Sequence, residues 1–390
     1  MERDILYISW DGLLDPLGQS QILSYIKNLS SRYQIEICSL EKSFRSKREV
    51  DCLKIELNEL DITWNYSVFK KAKFSTFCNL VLLIKTVRKS MKFNSYKIIH
   101  CRSYMAMISG ILGSCKLSRK GELLFDIRGF LFLEKLELMN WFLAMIMSPI
   151  FFMVERLLFL KANRVVTLTN RSIPRIAGMT KAPIDVIPTC YNMEFVETEE
   201  NDHSEKEYDF VYLGSAGGTY RLDLALKVFK VYKSCVKNAR MLIINASQHR
   251  MCMIACEKLE LGGFVDIVGC KHKEIGDYLK RCSYGIYFID KTASKPAQCP
   301  TRFAELLAHG LPVITGPGIG DTDFIYRKYK PGIILDAKAD NKTIKKAMKD
   351  LISLRYPELC KASYKCYYDN FRIIDGVGKY NQIYKTICSG

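Results

Sequence analysis

Short apolar runs of strand character alternate with helical segments along most of the 390-residue chain, and the alternation starts twice. The first series is Ile5–Ser9, Ile35–Ser39, Ile98–Cys101, Leu123–Phe125, Val165–Leu168 and Val186–Ile187. The second is Phe210–Leu213, Met241–Ala246, Val265–Val268, Gly285–Ile289, Val313–Thr315 and Gly332–Leu335. Runs this continuously apolar suit strands buried on both faces, and the helical segments between them supply the crossovers that parallel strands need. The rhythm constrains the chain to an α/β class with two doubly wound, Rossmann-like domains. Between the series, Glu194–Glu207 is rich in Glu, Asp, Asn, His and Ser and reads as an exposed linker. The expected division is a first domain 1–193, linker 194–207, a second domain 208–370 and a helical tail 371–390. A chain of this length suits two cores better than one. No repeat of 20 to 50 residues is present, which argues against a solenoid.

The net charge of +17 needs a cause. Residues 1–190 hold 28 Lys and Arg against 17 Asp and Glu, so the first half carries most of the excess. Basic clusters lie at Lys42 to Arg48, at Lys70, Lys71 and Lys73, at Lys85, Arg88, Lys89 and Lys92, and at Lys116, Arg119 and Lys120. Such charge attracts nucleic acid, an anionic membrane surface or a phosphate-bearing substrate. No nucleic-acid-binding motif accompanies it, so nucleic acid is not an expected partner. Segment 70–92 is one surface-binding candidate, because Phe74, Phe77, Val81, Ile84, Val87 and Met91 recur near helical spacing with basic residues at both ends. It equally describes a packed helix with a solvated face. The apolar run 138–154 is barely long enough to cross a bilayer and contains Asn140, Ser148 and Pro149. It reads as a buried or subunit-facing helix, or as one that dips into a membrane interface. The N-terminus turns straight into a strand pattern without a signal-like segment, and the fifteen scattered cysteines read as reduced thiols, so the expected location is the cytoplasm, peripheral on the inner face of a membrane.

Residues 299–312, Cys-Pro-Thr-Arg-Phe-Ala-Glu-Leu-Leu-Ala-His-Gly-Leu-Pro, carry the clearest chemistry. Pro300 suits a first helical position, which predicts a helix over 300–309. The open N–H groups and positive dipole end of such a helix favour a diphosphate, with Thr301 and Arg302 adding a hydroxyl and a fixed charge. Glu305 lies one turn on, at a spacing that reaches a ribose hydroxyl. The same residues also describe an ordinary amphipathic helix between two strands with a capping carboxylate in its first turn.

This segment resembles the donor-binding element of retaining GT-B glycosyltransferases of family 4, the group 1 type. Trp10-Asp11-Gly12 with Asp15-Pro16-Leu17-Gly18-Gln19-Ser20-Gln21 is similar to that family's first strand-to-helix loop. His100-Cys101-Arg102-Ser103-Tyr104, Phe125-Asp126-Ile127-Arg128-Gly129 and Glu134 are a third match, and the three stand in family order. The resemblance implies two Rossmann-like domains facing across a deep cleft, with the C-terminal helix returning to the first domain. It also implies a nucleotide-sugar donor and a glycan or lipid-linked glycan acceptor in surface polysaccharide assembly. Gly18 and Gln19 are expected near the diphosphate, and Asp126, Arg128, Glu134 and His100 on the sugar or acceptor side. Asp126 and Arg128 also read as a structural ion pair, and His100 as a hydrogen-bonded core histidine.

The glycine-rich loop Gly214-Ser215-Ala216-Gly217-Gly218-Thr219-Tyr220-Arg221 follows a strand and precedes a helix, where backbone N–H groups approach an anion. The family's Arg and Lys in this loop align with Ser215 and Tyr220, which leaves Arg221, Lys295 and Arg302 as substitutes. Counting eight residues back from Glu305 reaches Ala297, so the family's first glutamate of a pair is missing. Asp321-Thr322-Asp323 resembles a metal-binding pattern of a different glycosyltransferase fold, and no metal or other cofactor is expected. Asp321 is expected to cap the helix after it. Two further readings remain open: a nucleotide-sugar epimerase or hydrolase on this fold, and a catalytically silent scaffold subunit.

Overall fold

The structure is a computed structural model, and it describes residues 2–43, 45–70, 75–115, 121–193, 206–271 and 274–388. Most of the expected linker, together with Lys71, Lys73, Phe74, Lys116, Arg119 and Lys120, lies outside the described residues. The chain divides into two compact units. One comprises Met1–Asn192, Pro296–Gln298 and Ile373–Gly390, and the other Met193–Lys295 and Cys299–Arg372.

The first unit contains β1 (Glu2–Ser9), β2 (Ile35–Lys42), β3 (Thr63–Phe69), β4 (Ser95–Arg102), β5 (Glu122–Asp126), β6 (Arg164–Thr167) and β7 (Ile184–Val186). They form one parallel sheet in the order β3-β2-β1-β4-β5-β6-β7. Strand β1 shows why both faces are covered. Ile5 and Tyr7 enter one apolar cluster, while Leu6 and Ile8, on the opposite side of the pleat, enter another. The first cluster includes Ile373, Val377, Tyr380, Ile383 and Tyr384, so helix Ile373–Cys388 is part of this unit's core. Strand β3 was not among the apolar runs. It is an edge strand that alternates Trp64 and Tyr66 with Asn65 and Ser67.

The second unit contains β8 (Tyr208–Leu213), β9 (Met241–Ile244), β10 (Val265–Val268), β11 (Cys282–Ile286), β12 (Val313–Thr315) and β13 (Gly332–Ile334). All pair in parallel, in the order β10-β9-β8-β11-β12-β13. In each sheet the strand order reverses at one pair, β1 with β4 and β8 with β11. Ligands of doubly wound sheets collect beyond the carboxyl ends of the strands at such a switch point.

The two candidate surface segments behave differently. In helix Ser75–Phe93, Val87 and Met91 of the expected stripe are buried, Val81 and Ile84 are half-buried and Phe77 is exposed, so only part of the stripe serves packing, while Lys85, Arg88, Lys89 and Lys92 are exposed. The run at 138–154 becomes helix Trp141–Lys161, and most of it is exposed, which corrects the buried reading. Only Glu155, Leu158 and Phe159 are fully buried.

Candidate functional site

At the switch point of the second sheet, the loop after β8 and the segment after β11 are stitched together. Arg221 donates its N–H to the Phe288 carbonyl (3.0 Å), Asp290 donates to the Thr219 carbonyl (2.9 Å), and Tyr220 bridges Ile289. Gly214 turns the chain out of β8 with φ +105°, and a Cβ there would stand 2.5 Å from the Arg302 guanidinium. A side chain at 214 is thus excluded by both strain and the close approach of Arg302. The Asn245 amide fixes the Gly214 carbonyl (2.8 Å), the Gln248 side chain accepts from the Ala216 N–H (2.9 Å), and the Tyr212 hydroxyl donates to the Ser215 carbonyl (2.6 Å).

Helix Thr301–Ala308 enters this corner. Pro300 is extended, with ψ 127°, and holds the cap position one residue before the first helical one, so the helix is a residue shorter at each end than expected. No side chain caps its first turn. Its far end is closed by Gly310 (φ +70°), with Leu311 N–H to the Leu306 carbonyl (3.1 Å) and Gly310 N–H to the Leu307 carbonyl (3.0 Å).

Arg302 is only 8% exposed, and its guanidinium sits among the rings of Tyr220 (4.2 Å to the centroid), Tyr212 (5.5 Å) and Tyr287 (5.9 Å). Its Nη1 is buried without a hydrogen-bond partner, and among the described residues no carboxylate lies within ion-pair distance. Aromatic faces attract a cation without neutralising it. Glu305 is 5% exposed, and burial pushes its carboxyl up to about 7 against the opposing pull of Arg302.

The other expected donor-side residues separate clearly. Arg221 is clamped by Asp223 (2.8 and 2.7 Å) and Asp290 (3.0 Å), which hold its proton more tightly and leave its charge met within the chain. Lys295 is buried in a tight turn, and its carbonyl accepts the Gly320 N–H (2.9 Å). Thr301 and Ser215 sit beside Arg302 and Gly214 in sequence. Asp321 occupies the cap position of helix Thr322–Tyr329 but makes no capping bond, contrary to expectation; the Asp323 carboxylate instead accepts the Gly318 N–H (3.2 Å) and secures that turn. Among the described residues no group of three or more His, Cys, Asp or Glu side chains is placed to hold a metal ion.

In the first unit, Gly18 and Gln19 build their own loop. A Cβ on Gly18 would fall 2.0 Å from the Gly12 carbonyl, and the Gln19 amide donates to the Leu13 carbonyl (2.9 Å). Glu41 anchors the same loop by accepting the Leu13 N–H (2.7 Å) and the Ser39 hydroxyl (2.9 Å). Asp126 is fully buried, with Tyr380 hydroxyl at 3.0 Å, His100 Nε2 at 3.4 Å and Arg128 at 3.5 Å. Burial raises its pKa, but Arg128, His100 and Arg102 together outweigh that and hold it at about 2. Burial lowers the pKa of His100, so it is neutral at pH 7. Its Nε2–H then faces the Asp126 carboxylate, and Nδ1 accepts from the Tyr384 hydroxyl (2.6 Å). The ion pair and the core histidine are both present as structure. Arg128 also reaches Gln21 (3.4 Å), and Glu134 accepts from the Gln298 amide (2.7 Å).

Residues 194–365 match the family model for glycosyl transferases group 1. Solved structures with this fold include a sucrose-phosphate synthase from Thermosynechococcus elongatus, 12% identical with TM-score 0.70 over 99% of each chain. Anabaena HepE, in complex with UDP and glucose, is 13% identical with TM-score 0.70 over 100% of each chain. A glycosyltransferase from Rickettsia africae is 16% identical with TM-score 0.64 over 99% of each. The fold is therefore that of the GT-B glycosyltransferases. No curated protein matches the sequence.

Proposed function

We propose that this chain is a retaining, metal-independent glycosyltransferase of family 4 type. It moves a sugar from a nucleoside-diphosphate sugar to a glycan or lipid-linked glycan in surface polysaccharide assembly. The observation that carries this reading is Arg302, a buried guanidinium held by three tyrosine rings and, among the described residues, with no carboxylate within ion-pair distance. A diphosphate supplies the missing negative charge, and the uncapped first turn beside it, with Thr301, offers N–H groups to the same oxygens. Lys295 and the Gly214-Ser215 turn complete the proposed phosphate site, and Glu305 takes the ribose hydroxyls.

The match of residues 194–365 to glycosyl transferases group 1 and the UDP bound by HepE support a donor of this class. In the first unit, Arg128 and Glu134 are the proposed sugar and acceptor contacts, with Asp126 holding Arg128, His100 orienting Asp126, and Gly18 and Gln19 shaping the loop. The acceptor oxygen attacks the anomeric carbon on the face the nucleotide leaves. The carbon–oxygen bond to the diphosphate breaks, and the departing diphosphate takes the acceptor proton. Catalysis then consists of positioning and of charge stabilisation on the leaving group. Fifteen cysteines, none of them in a disulfide, fit a reducing, cytoplasmic setting. The clamped Arg221 favours one alternative, a catalytically silent scaffold subunit.

Thermal shift with UDP, GDP, ADP, CMP and dTDP sugars tests the assignment, because a ligand that binds only the native state raises its melting temperature. One donor class should stabilise the parent, and Arg302→Ala should weaken that binding about 10- to 100-fold, the worth of a charge-assisted hydrogen bond. An Arg302→Ala protein that binds every donor as the parent does removes the basis of the proposal. Binding without transfer or donor hydrolysis would select the silent subunit.

A further inference from the structure

Helix Trp141–Lys161 is 21 residues long, about 30 Å at 1.5 Å per residue. Its inner side is anchored. The Glu155 carboxylate accepts the Tyr104 hydroxyl (2.6 Å) and pairs with Arg175 (2.6 Å), Leu158 and Phe159 enter the core, and Phe151 stacks on Phe132 at 4.9 Å. Its outer side is another matter. At 100° per residue Phe142, Met145, Ile146, Met153, Leu157 and Leu160 share one face, and all six are exposed. Trp141, at the N-terminal end, is 77% exposed. The charged residues exposed on this helix are Arg156 and Lys161, both basic, since its one acid, Glu155, is buried.

We propose that this outer face docks on an anionic lipid bilayer, with the helix lying in the interface plane rather than crossing it. Crossing would extract Glu155 from Arg175 and Tyr104 and pull Leu158 and Phe159 out of the core. A wide apolar face that carries one arginine, Arg156, with Lys161 at its border and a tryptophan at the other end of the helix, has the cationic and aromatic composition of interfacial helices, whose long basic side chains reach the headgroups while their stems stay in the apolar face. The excess of eleven positive charges in residues 1–190 and the exposed Lys85, Arg88, Lys89 and Lys92 add long-range attraction to such a surface. A second copy of the chain is the weaker occupant. Two such faces packed together would bring the Arg156 and Lys161 of both copies, and the basic excess of residues 1–190, against each other, which like-charge repulsion disfavours. This docking does not depend on the chemistry proposed above.

Co-sedimentation with phosphatidylcholine vesicles, with and without phosphatidylglycerol, tests it on the full chain. The parent should pellet with the anionic vesicles. Phe142→Ser, Ile146→Ser, Met153→Ser and Leu157→Ser combined should weaken partitioning at least about 100-fold, given roughly tenfold or more for each large apolar side chain immersed. Trp141 provides a readout that needs no destabilising change: its emission should shift to the blue on anionic vesicles, and Trp141→Phe should abolish that shift. The proposal is overturned by a parent that does not pellet, by a quadruple variant that pellets like the parent, or by Trp141 emission indifferent to vesicles. It is equally overturned if the parent is a dimer that the quadruple variant converts to monomer without lipid. Loss of binding on changing Lys85, Arg88, Lys89 and Lys92 to Gln, with the helix variant unaffected, would move docking to helix Ser75–Phe93 instead.

Discussion

Glu305→Gln probes both the energetics and the proposed role of helix Thr301–Ala308. Burial raises the Glu305 carboxyl from an ordinary 4.5 to about 7. At about 1.36 kcal/mol per pH unit, ionised Glu305 costs the folded protein about 3 kcal/mol. The folded state holds this proton more tightly than the unfolded state does. The stability it contributes is therefore fully present below pH 4.5 and is lost as pH rises through 7. A glutamine keeps the shape and does not ionise, so the variant should gain on the parent by about 1 kcal/mol at pH 5 and about 3 kcal/mol at pH 8. For a domain of this size 1 kcal/mol corresponds to about 2–4 °C in melting temperature. The variant should therefore melt higher than the parent by only a few degrees at pH 5 and by roughly 6–12 °C at pH 8. The ligand reverses the preference. Ribose hydroxyls donate to a carboxylate and so favour its ionised form. Affinity of the parent for a nucleotide sugar, whose diphosphate does not titrate in this range, should fall as pH drops below 7, and Glu305→Gln should bind more weakly without that dependence. Equal melting differences at pH 5 and 8 refute the burial argument. A pH-independent parent affinity refutes the ribose assignment.

Tyr380→Phe removes one hydroxyl from the buried Asp126 and should lower the stability of the first unit by about 1–2 kcal/mol, leaving donor affinity unchanged. Differential scanning calorimetry with and without the donor separates the two effects, and a variant with weakened donor binding would contradict a purely structural role for the Tyr380–Asp126 bond. Transfer should persist in EDTA, since the proposed leaving-group charge rests on Arg302 and helix N–H groups and the Asp323 carboxylate is engaged with Gly318. Turnover lost on chelation and restored by Mn²⁺ or Mg²⁺ would point to a metal after all.

What was legible in the sequence was what is local. Strands buried on both faces are continuous in apolar character and declared themselves, whereas edge strand β3 alternates Trp64 and Tyr66 with Asn65 and Ser67 and passed unnoticed. Arg302 and Glu305 are three residues apart on one helix, so their presence in one corner was readable. The ring of Tyr212, Tyr220 and Tyr287 was not, because it is assembled from the end of β8, the loop after it and the segment following β11. For the same reason Arg221 read as a free cation until Asp290, 69 residues away, closed on it.

The departures in the glycine-rich loop are connected in space. Where the family resemblance leads one to expect a cation, Tyr220 places its ring 4.2 Å from a guanidinium that comes from helix Thr301–Ala308. A phenol ring and a guanidinium occupy this corner together, which an arginine at 220 would disfavour by like-charge repulsion. Gly214 has room for no side chain because that same guanidinium fills the space. Tyr220 in the loop and the buried Arg302, which among the described residues has no carboxylate within ion-pair distance, are thus one arrangement. Arg302 puts a positive charge in the first turn of that helix, beside the loop position where the resemblance implies a cation.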